Sequence, residues 1–382
     1  MPFILYLFAL ANLVVGTGAF VLTGILQPLA DSLGVSVAAA GQAMTAYALA
    51  AALLAPPFLL ATGHWPRKRA ILLAMALFAA GCVLCALASS LAVLLLGRVL
   101  MGVGSVFSAL AAGVTVAVVE PMRRGRALSL TFLGMSLSYA VGVPLGAWLG
   151  LTYSWQTPVW VVAGACVATT ALLMAALPQR IDAPGARFAG LGAAARQWPI
   201  LRVWLRTLLF FIAIFSVFAY AGPVLLALNP LTPAQLSFTL VMFGLSGVAG
   251  TIIGGLVVDR IGPLRTIRMQ LALLASMMVL VPLTRGHHAL TVLVFVVWGM
   301  AGFGLAAPQQ MLLVARSPQQ APMLMSLNGS MVYVGTALGA VLSGTFVGSL
   351  GFDKLSWVGL PFALLALATL WFDTRAQLHP AR

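Results

Sequence analysis

The chain has 382 residues, of which 62% are hydrophobic and 7% charged, with Gly 38 and Pro 21. A soluble domain carries about 25% charged and 45–50% apolar residues, so a large water-soluble enzyme is excluded. Lys and Arg total 20 against 6 Asp and Glu, a net charge of +14. In a soluble protein that excess would point to nucleic acid, but here the basic residues lie in small groups between apolar runs, with no basic patch interleaved with aromatics.

One helical span of a bilayer takes about 20 apolar residues, and the apolar content is about twelve times that. Charged and Gly/Pro-rich breaks divide the chain into twelve apolar segments. The first six run over residues 4–27, 37–62, 70–88, 92–119, 127–150 and 157–177. The N-terminal segment lacks a basic n-region and a small-residue cleavage site, so it reads as a retained first span. A polar linker from Pro178 to Arg206 follows, with Arg180, Arg187, Arg196, Arg202 and Arg206 and two further prolines inside it, Pro184 and Pro199. The remaining segments are 207–228, 236–258, 269–284, 290–314, 323–349 and 356–372. The fold expected is an all-α integral membrane protein of twelve transmembrane helices in two six-helix bundles, 1–177 and 207–382, the second ending in a short tail.

Twelve spans force alternate loops onto one side of the membrane, where positive charge should concentrate. One set of loops holds Arg67, Lys68 and Arg69, then Arg123, Arg124 and Arg126, the five linker arginines, Arg260, Arg265 and Arg268, Arg316, and the tail's Arg375 and Arg382; the other set holds Arg285 and Lys354. That asymmetry places both termini and the linker in the cytoplasm and leaves Arg98 as the one charge inside a span. Sliding the second half back by 197 residues pairs Pro66 with Pro263, Gly102 with Gly299, Ser129-Leu130 with Ser326-Leu327 and Gly142 with Gly339. Ser138-x3-Gly142-x3-Gly146 then overlies Gly335-x3-Gly339-x3-Ser343. Small residues at every fourth position let helix backbones approach closely in lipid, and the constant offset makes the two bundles pseudo-symmetric. Cys82 and Cys85 spell CxxC, but a redox pair wants an exposed helix N-terminus; these lie mid-run, as does Cys166, and read as packing.

Four stretches now carry a family resemblance. Gly16-Thr17-Gly18-Ala19-Phe20 with Gly24-Ile25-Leu26-Gln27-Pro28-Leu29-Ala30-Asp31-Ser32-Leu33-Gly34, then Arg98-Val99-Leu100-Met101-Gly102, then Gly134 with Gly142-Val143-Pro144-Leu145-Gly146, and Gly255-x3-Asp259-Arg260-x-Gly262 resemble motifs of the major facilitator superfamily. The subgroup they resemble is the twelve-span drug:proton antiporter type, which includes arabinose-efflux and chloramphenicol-resistance permeases. The resemblance implies the major facilitator fold and a multidrug or sugar efflux role. The chain also departs from the pattern: Ala19 stands where an acid is expected, the loop Gly63-His64-Trp65-Pro66-Arg67-Lys68-Arg69 has no aspartate, and Ser105 and Gln156 replace titratable residues.

The acids Asp31, Glu120, Asp182, Asp259, Asp353 and Asp373 and the histidines His64, His287, His288 and His379 all fall outside mid-span positions. An integral membrane hydrolase or transferase would need a paired base, nucleophile or metal cluster, so no enzyme, metal or cofactor is expected. His287-His288 could bind a metal but reads as a solvated loop. Arg98 either snorkels to the surface on its long stem or faces the transport path, and the motif favours the second. On the spans that line the path in the superfamily, polar residues recur at helical spacing: Asn12, Gly16, Phe20, Thr23 and Gln27; Arg98, Met101, Ser105 and Ser108; Trp298, Gly302, Leu305 and Gln309. Tyr47, Tyr220, Gln310, Asn328 and Tyr333 are further cavity candidates; for each, the competing reading is glue between helices. Asp259 with Arg260 and Arg265 reads either as a charge latch at the membrane surface or as a solvated turn. Gly142, Pro144 and Gly146 should bend the fifth span and shape the conformational change.

The expectation is therefore a bacterial inner-membrane exporter of a small organic solute or drug, an antiporter working by alternating access with protons as the coupling ion. An uncoupled facilitator of a small neutral solute is the alternative, motivated by the missing carboxylate. A non-transporting membrane sensor or enzyme would need a soluble domain or a polar catalytic cluster. Partners are the solute and the lipid bilayer, with no nucleic acid and no need for more than a monomer.

Overall fold

The computed structural model describes residues 2–120, 123–179, 181, 197–316 and 321–378. Arg180, Asp182, Pro184, Arg187, Arg196, His379 and Arg382 lie outside the described residues, and nothing is said of the side chains of Arg316, Asp373 and Arg375. Among the described residues there is no strand. Among the described residues twelve helices are long and apolar enough to span a membrane: Ile4–Gly24, Val37–Ala61, Arg67–Ala86, Leu91–Val118, Arg126–Thr152 and Gln156–Ala176 in the first half, and Trp198–Phe218, Pro233–Ile261, Pro263–Thr284, His288–Leu313, Leu327–Leu350 and Phe352–Trp371 in the second. Large apolar side chains such as Leu53 and Ile252 stand 61% exposed along these helices. A soluble protein would hide them; a lipid-facing surface presents them.

Two boundaries differ from expectation. The seventh span begins at Trp198, with Pro199 in its first turn, so Arg202 and Arg206 lie inside the helix rather than in the linker. Proline at that position supplies a helix-ready φ and lacks only an N–H that would go unpaired anyway. The ninth span begins at Pro263 for the same reason, after Gly262 turns the chain at φ 81°.

Cα packing divides the chain into two compact units, 1–187 with 232–241, and 188–231 with 242–382. Each unit repeats the same neighbours. In the first, span one packs on spans five and six, and span three on four and six; in the second, span seven packs on eleven and twelve, and nine on ten and twelve. Glycines set these contacts. A Cβ at Gly134 would run into the Ala9 carbonyl, one at Gly142 into the Thr17 hydroxyl, one at Gly146 into Val21 and one at Gly150 into Ile25. Both sets of numbers rise together, so spans one and five run parallel. In the second unit Gly335 meets the Leu208 carbonyl and Gly339 the Ile212 carbonyl, each at 2.7 Å from the Cβ position, while the Ser343 hydroxyl donates to the Ser216 carbonyl at 2.7 Å. Gly142 and Gly339, paired by the 197-residue repeat, thus do the same job.

Spans one, four, seven and ten, expected as continuous helices, are broken. Span one runs Ile4–Phe20, tightens to a 3-10 turn at Val21–Gly24, and resumes as Leu26–Leu33. Span seven ends at Phe218 and resumes at Ala221–Leu228; span ten ends at Gly304 and resumes at Ala306–Arg316. Each resuming helix has proline as its third residue, Pro28, Pro223 and Pro308. A proline ring clashes with the carbonyl four residues back and offers it no N–H, and those carbonyls belong to Gly24, Ala219 and Gly304, all at the breaks. Span four breaks after Gly104 without proline, beside Gly102, whose carbonyl accepts the Ser105 hydroxyl at 2.6 Å. Span five widens into a π-helical turn at Ser138–Gly142 just ahead of Pro144, a local unwinding of the kind the Gly142, Pro144 and Gly146 pattern calls for.

Candidate functional site

Breaking span one leaves carbonyls at the end of Ile4–Phe20 without helical partners, and Arg98 takes them. Its Nη1 donates to the Gly18 carbonyl at 2.8 Å, Nη2 to the Ala19 carbonyl at 2.5 Å and Nε to the Ala43 carbonyl of span two at 3.1 Å. The guanidinium carbon lies 4.9 Å from the centre of the Tyr47 ring, and Nη1 also points at the Met101 sulfur at 3.8 Å. The side chain is 1% exposed, so it does not snorkel to the surface. A buried cation needs compensation, and this one has three charge-assisted hydrogen bonds, an aromatic face and the negative end of a helix dipole. A void of about 10 Å³ beside it, bounded by Gly18, Cys82, Cys85 and Val162 among others, holds at most one water. In this structure Arg98 is a clasp across spans one, two and four, and the void it lines is too small for a solute.

The other candidates divide sharply. Asn12 is glue: its Nδ2 donates to the Thr131 carbonyl of span five at 2.9 Å, and its Oδ1 accepts the Ser108 hydroxyl of span four at 2.6 Å. Gly16 on the same face lies against Ser138 and Met135 of span five. Thr23 spends its hydroxyl on the Phe20 carbonyl at 2.8 Å, closing the 3-10 turn. Gln27 does not share that face, because the break shifts the helical phase; it is exposed and bonds Asp31 at 3.0 Å. Ser105 is likewise committed to its own helix, and Tyr47 to Arg98. In the second unit the Tyr220 hydroxyl donates to the Ala340 carbonyl at 3.3 Å, and Asn328 accepts the Thr207 hydroxyl at 2.7 Å. Thr131 and Asn328 are again 197 apart, so each unit joins its paired spans by a polar bond at the same height. Gln310 is exposed and Tyr333 half-buried. Trp298 and Gln309 are buried, as the helical spacing requires.

Asp259, Arg260 and Arg265 are exposed, and among the described residues none of the three forms an ion pair. Asp259 is the third-last residue of Pro233–Ile261, where the helix dipole disfavours an acid, so helix stability does not explain it. The cysteines are free and buried at helix-packing positions. Among the described residues no group of three His, Cys, Asp or Glu could hold a metal.

Three polar residues went unrecognised in the sequence. Arg206 is fully buried, its Nε donating to Thr369 at 2.9 Å, so Arg98 is not the only charge inside a span. Lys68 is 9% exposed and donates to the Leu177 carbonyl at 2.7 Å, capping the C-terminus of span six from the start of span three. Gln270 of span nine presses its amide on Gly304 at the break of span ten. Gln270 was visible as an amide in an apolar run; Arg206 was hidden by being counted with the linker.

Two repeats of a six-helix unit, with spans one, four, seven and ten interrupted at matching positions around buried polar groups, define a membrane transporter. The comparisons agree: a family model described as Major Facilitator Superfamily matches residues 8–321 and 231–382, and the chain belongs to that superfamily. It is 30% identical over 366 residues to "Inner membrane transport protein YdhP" of Escherichia coli, covering 95% of this chain and 94% of that one. It is 26% identical over 366 residues to a "Probable sugar efflux transporter" of Mannheimia succiniciproducens, covering 95% and 91%. Among solved structures it resembles a bacterial homologue of the human lysosomal transporter Spinster, with TM-score 0.85, 16% identity and coverage of 98% and 96%. The protein is thus a multi-pass membrane transporter of that superfamily, not an enzyme.

Proposed function

We propose that this transporter exports a small organic solute or drug by alternating access, as a secondary active antiporter with its termini and linker in the cytoplasm. The observation that carries the reading is the interruption of spans one, four, seven and ten. Discontinuous spans free backbone groups at the membrane midplane and give each unit a place to bend, which solute binding and release require. The names of the relatives, an inner-membrane transport protein and a probable sugar efflux transporter, favour outward movement. The basic loops favour the cytoplasmic orientation. Asp259 at the wrong end of its helix fits a latch made in one state of the cycle and open in another.

A second reading, an uncoupled facilitator, draws on one observation: Asp31, Glu120, Asp259 and Asp353 stand at helix ends or beyond, and the clasp of Arg98 uses carbonyls where an acid would titrate. Solute flux in proteoliposomes with and without an imposed pH gradient decides between them. Accumulation driven by the gradient is expected; flux that only equilibrates overturns the antiporter. Asp259→Ala should lower transport several-fold with normal membrane insertion, read by uptake normalised to protein in the membrane, and unchanged transport removes the latch.

A further inference from the structure

The void beside Arg98 is walled by sulfur as well as by hydrocarbon. Cys82 and Cys85 line it from span three, Met101 from span four, and Val21 and Leu22 from the break of span one. Cys82 and Cys85 are three residues apart in Arg67–Ala86 and so share a helix face. The Cys85 sulfur lies 3.8 Å from the Met101 sulfur and 3.6 Å from the Leu94 carbonyl. The crossing that holds them is tight: a Cβ at Gly97 would come within 2.7 Å of the Cys85 sulfur and 2.8 Å of the Gly81 carbonyl, and one at Gly81 within 2.6 Å of the Gly97 carbonyl. Spans three and four therefore meet backbone to backbone there, and that contact fixes where the sulfurs stand.

Sulfur–metal bonds are about 2.3 Å, so two sulfurs on one ion at trigonal angles stand about 4 Å apart, close to the Cys85–Met101 separation. A void of about 10 Å³ admits one particle the size of a water. A water would find weak partners there, since thiols and thioethers hydrogen-bond weakly and all three nitrogens of Arg98 are on carbonyls. Thiolate and thioether ligands instead select soft ions such as Cu(I). Charge points the same way. Arg98 is a buried cation whose bonded neighbours are neutral: carbonyls, an aromatic face and a sulfur. Two thiolates with one monovalent ion carry a single net negative charge, which cancels the guanidinium, whereas a divalent ion would leave the centre positive inside the membrane. Zn(II) also wants a fourth ligand, and among the described residues no group of three His, Cys, Asp or Glu offers a set for it. We propose that Cys82, Cys85 and Met101 bind one soft monovalent ion, Cu(I) or Ag(I), beside the Arg98 clasp, the two thiols releasing their protons as it enters. The bound ion ties span three to span four behind the break of span one. This site does not depend on what the transporter carries or on what drives it.

The test uses the full chain in nanodiscs, loaded with Cu(I) under ascorbate without oxygen and challenged with the chelator bathocuproine disulfonate, with empty nanodiscs as the blank. The wild type should retain one copper per chain, and X-ray absorption should show sulfur neighbours at about 2.3 Å. Cys82→Ser and Cys85→Ser should each bind about a hundredfold more weakly, and Met101→Leu about tenfold. The thiol of Cys166 donates to the Met75 carbonyl at 3.6 Å and stands outside the void, so Cys166→Ser should bind as the wild type does. Cu(I) should raise the melting temperature of the wild type and of Cys166→Ser by several degrees and leave the Cys82 and Cys85 variants unmoved. If a serine variant melts far below the metal-free wild type, Cys82→Ala or Cys85→Ala takes its place. A wild type that yields its copper as readily as empty nanodiscs, copper with nitrogen or oxygen neighbours, or retention undiminished in the Cys82 and Cys85 variants overturns the proposal. So does retention of Zn(II) in preference to Cu(I).

Discussion

Position 98 of the first unit and position 295 of the second are related by the 197-residue repeat, and they hold opposite chemistry. Arg98 sits in a cradle of main-chain carbonyls with Nε, Nη1 and Nη2 each engaged. Phe295 sits in a cluster of rings, 5.1 Å from Trp298 and 6.3 Å from Phe243, and the Trp298 indole N–H beside it has no partner. The backbone around the two is alike: the same neighbouring spans, the same glycine notch at Gly142 and Gly339, the same proline-set break at Pro28 and Pro223. The two units share their mechanical parts and differ in their side chains: Arg98 of span four is satisfied by main-chain carbonyls, whereas Trp298 and Gln309 of span ten carry buried polar atoms without partners.

The largest effect should come from removing the clasp. Arg98→Met deletes three charge-assisted hydrogen bonds and leaves the Gly18 and Ala19 carbonyls buried at a helix break, a loss of about 3 kcal/mol or more. Thermal unfolding in detergent should show it directly, whereas Phe295→Leu, at the equivalent position, should cost only about 1 kcal/mol as a hydrophobic exchange. Equal effects would mean that the two positions are not the mechanical counterparts described. Overpacking comes next: Gly134→Val drives two methyls toward the Ala9 backbone of span one and should cost about 1–3 kcal/mol, with slower transport, since neither backbone can yield without parting the spans. The smallest effect belongs to the polar bonds at matching height. Thr207→Val loses the bond to Asn328 and should cost about 0.6 kcal/mol, near the average for such bonds in lipid, with Asn12→Leu larger because it breaks two. A double-mutant cycle between positions 207 and 328 measures it.

How much of this was readable follows from what kind of signal each feature leaves. The spans, the repeat and the glycine spacing are statements about hydrophobicity and side-chain size, which a sequence prints directly. Three of the breaks leave a mark, since Pro28, Pro223 and Pro308 name the carbonyls they disrupt, while the break of span four has no proline; counting apolar residues is blind to backbone phase, and that is why Gln27 fell on the wrong face. Arg206 illustrates a competing cue: a run of arginines reads as a loop, and only packing against Thr369 shows a helix carrying a buried charge. The role of Arg98 was the hardest to see, because its partners are main-chain atoms and leave no mark in the side-chain alphabet.

That last feature has a reach beyond the single residue. The acceptors of the Arg98 charge are the carbonyls of Gly18, Ala19 and Ala43, and every residue type has a carbonyl; what the site demands of those three positions is bulk, not polarity. A Cβ at Gly18 would already come within 2.9 Å of the Phe78 ring. The charged centre of this unit is therefore tuned by the volumes of its least reactive neighbours. A single methyl at position 18, chemically inert and far from any ionisable group, can move the guanidinium as surely as a new carboxylate would.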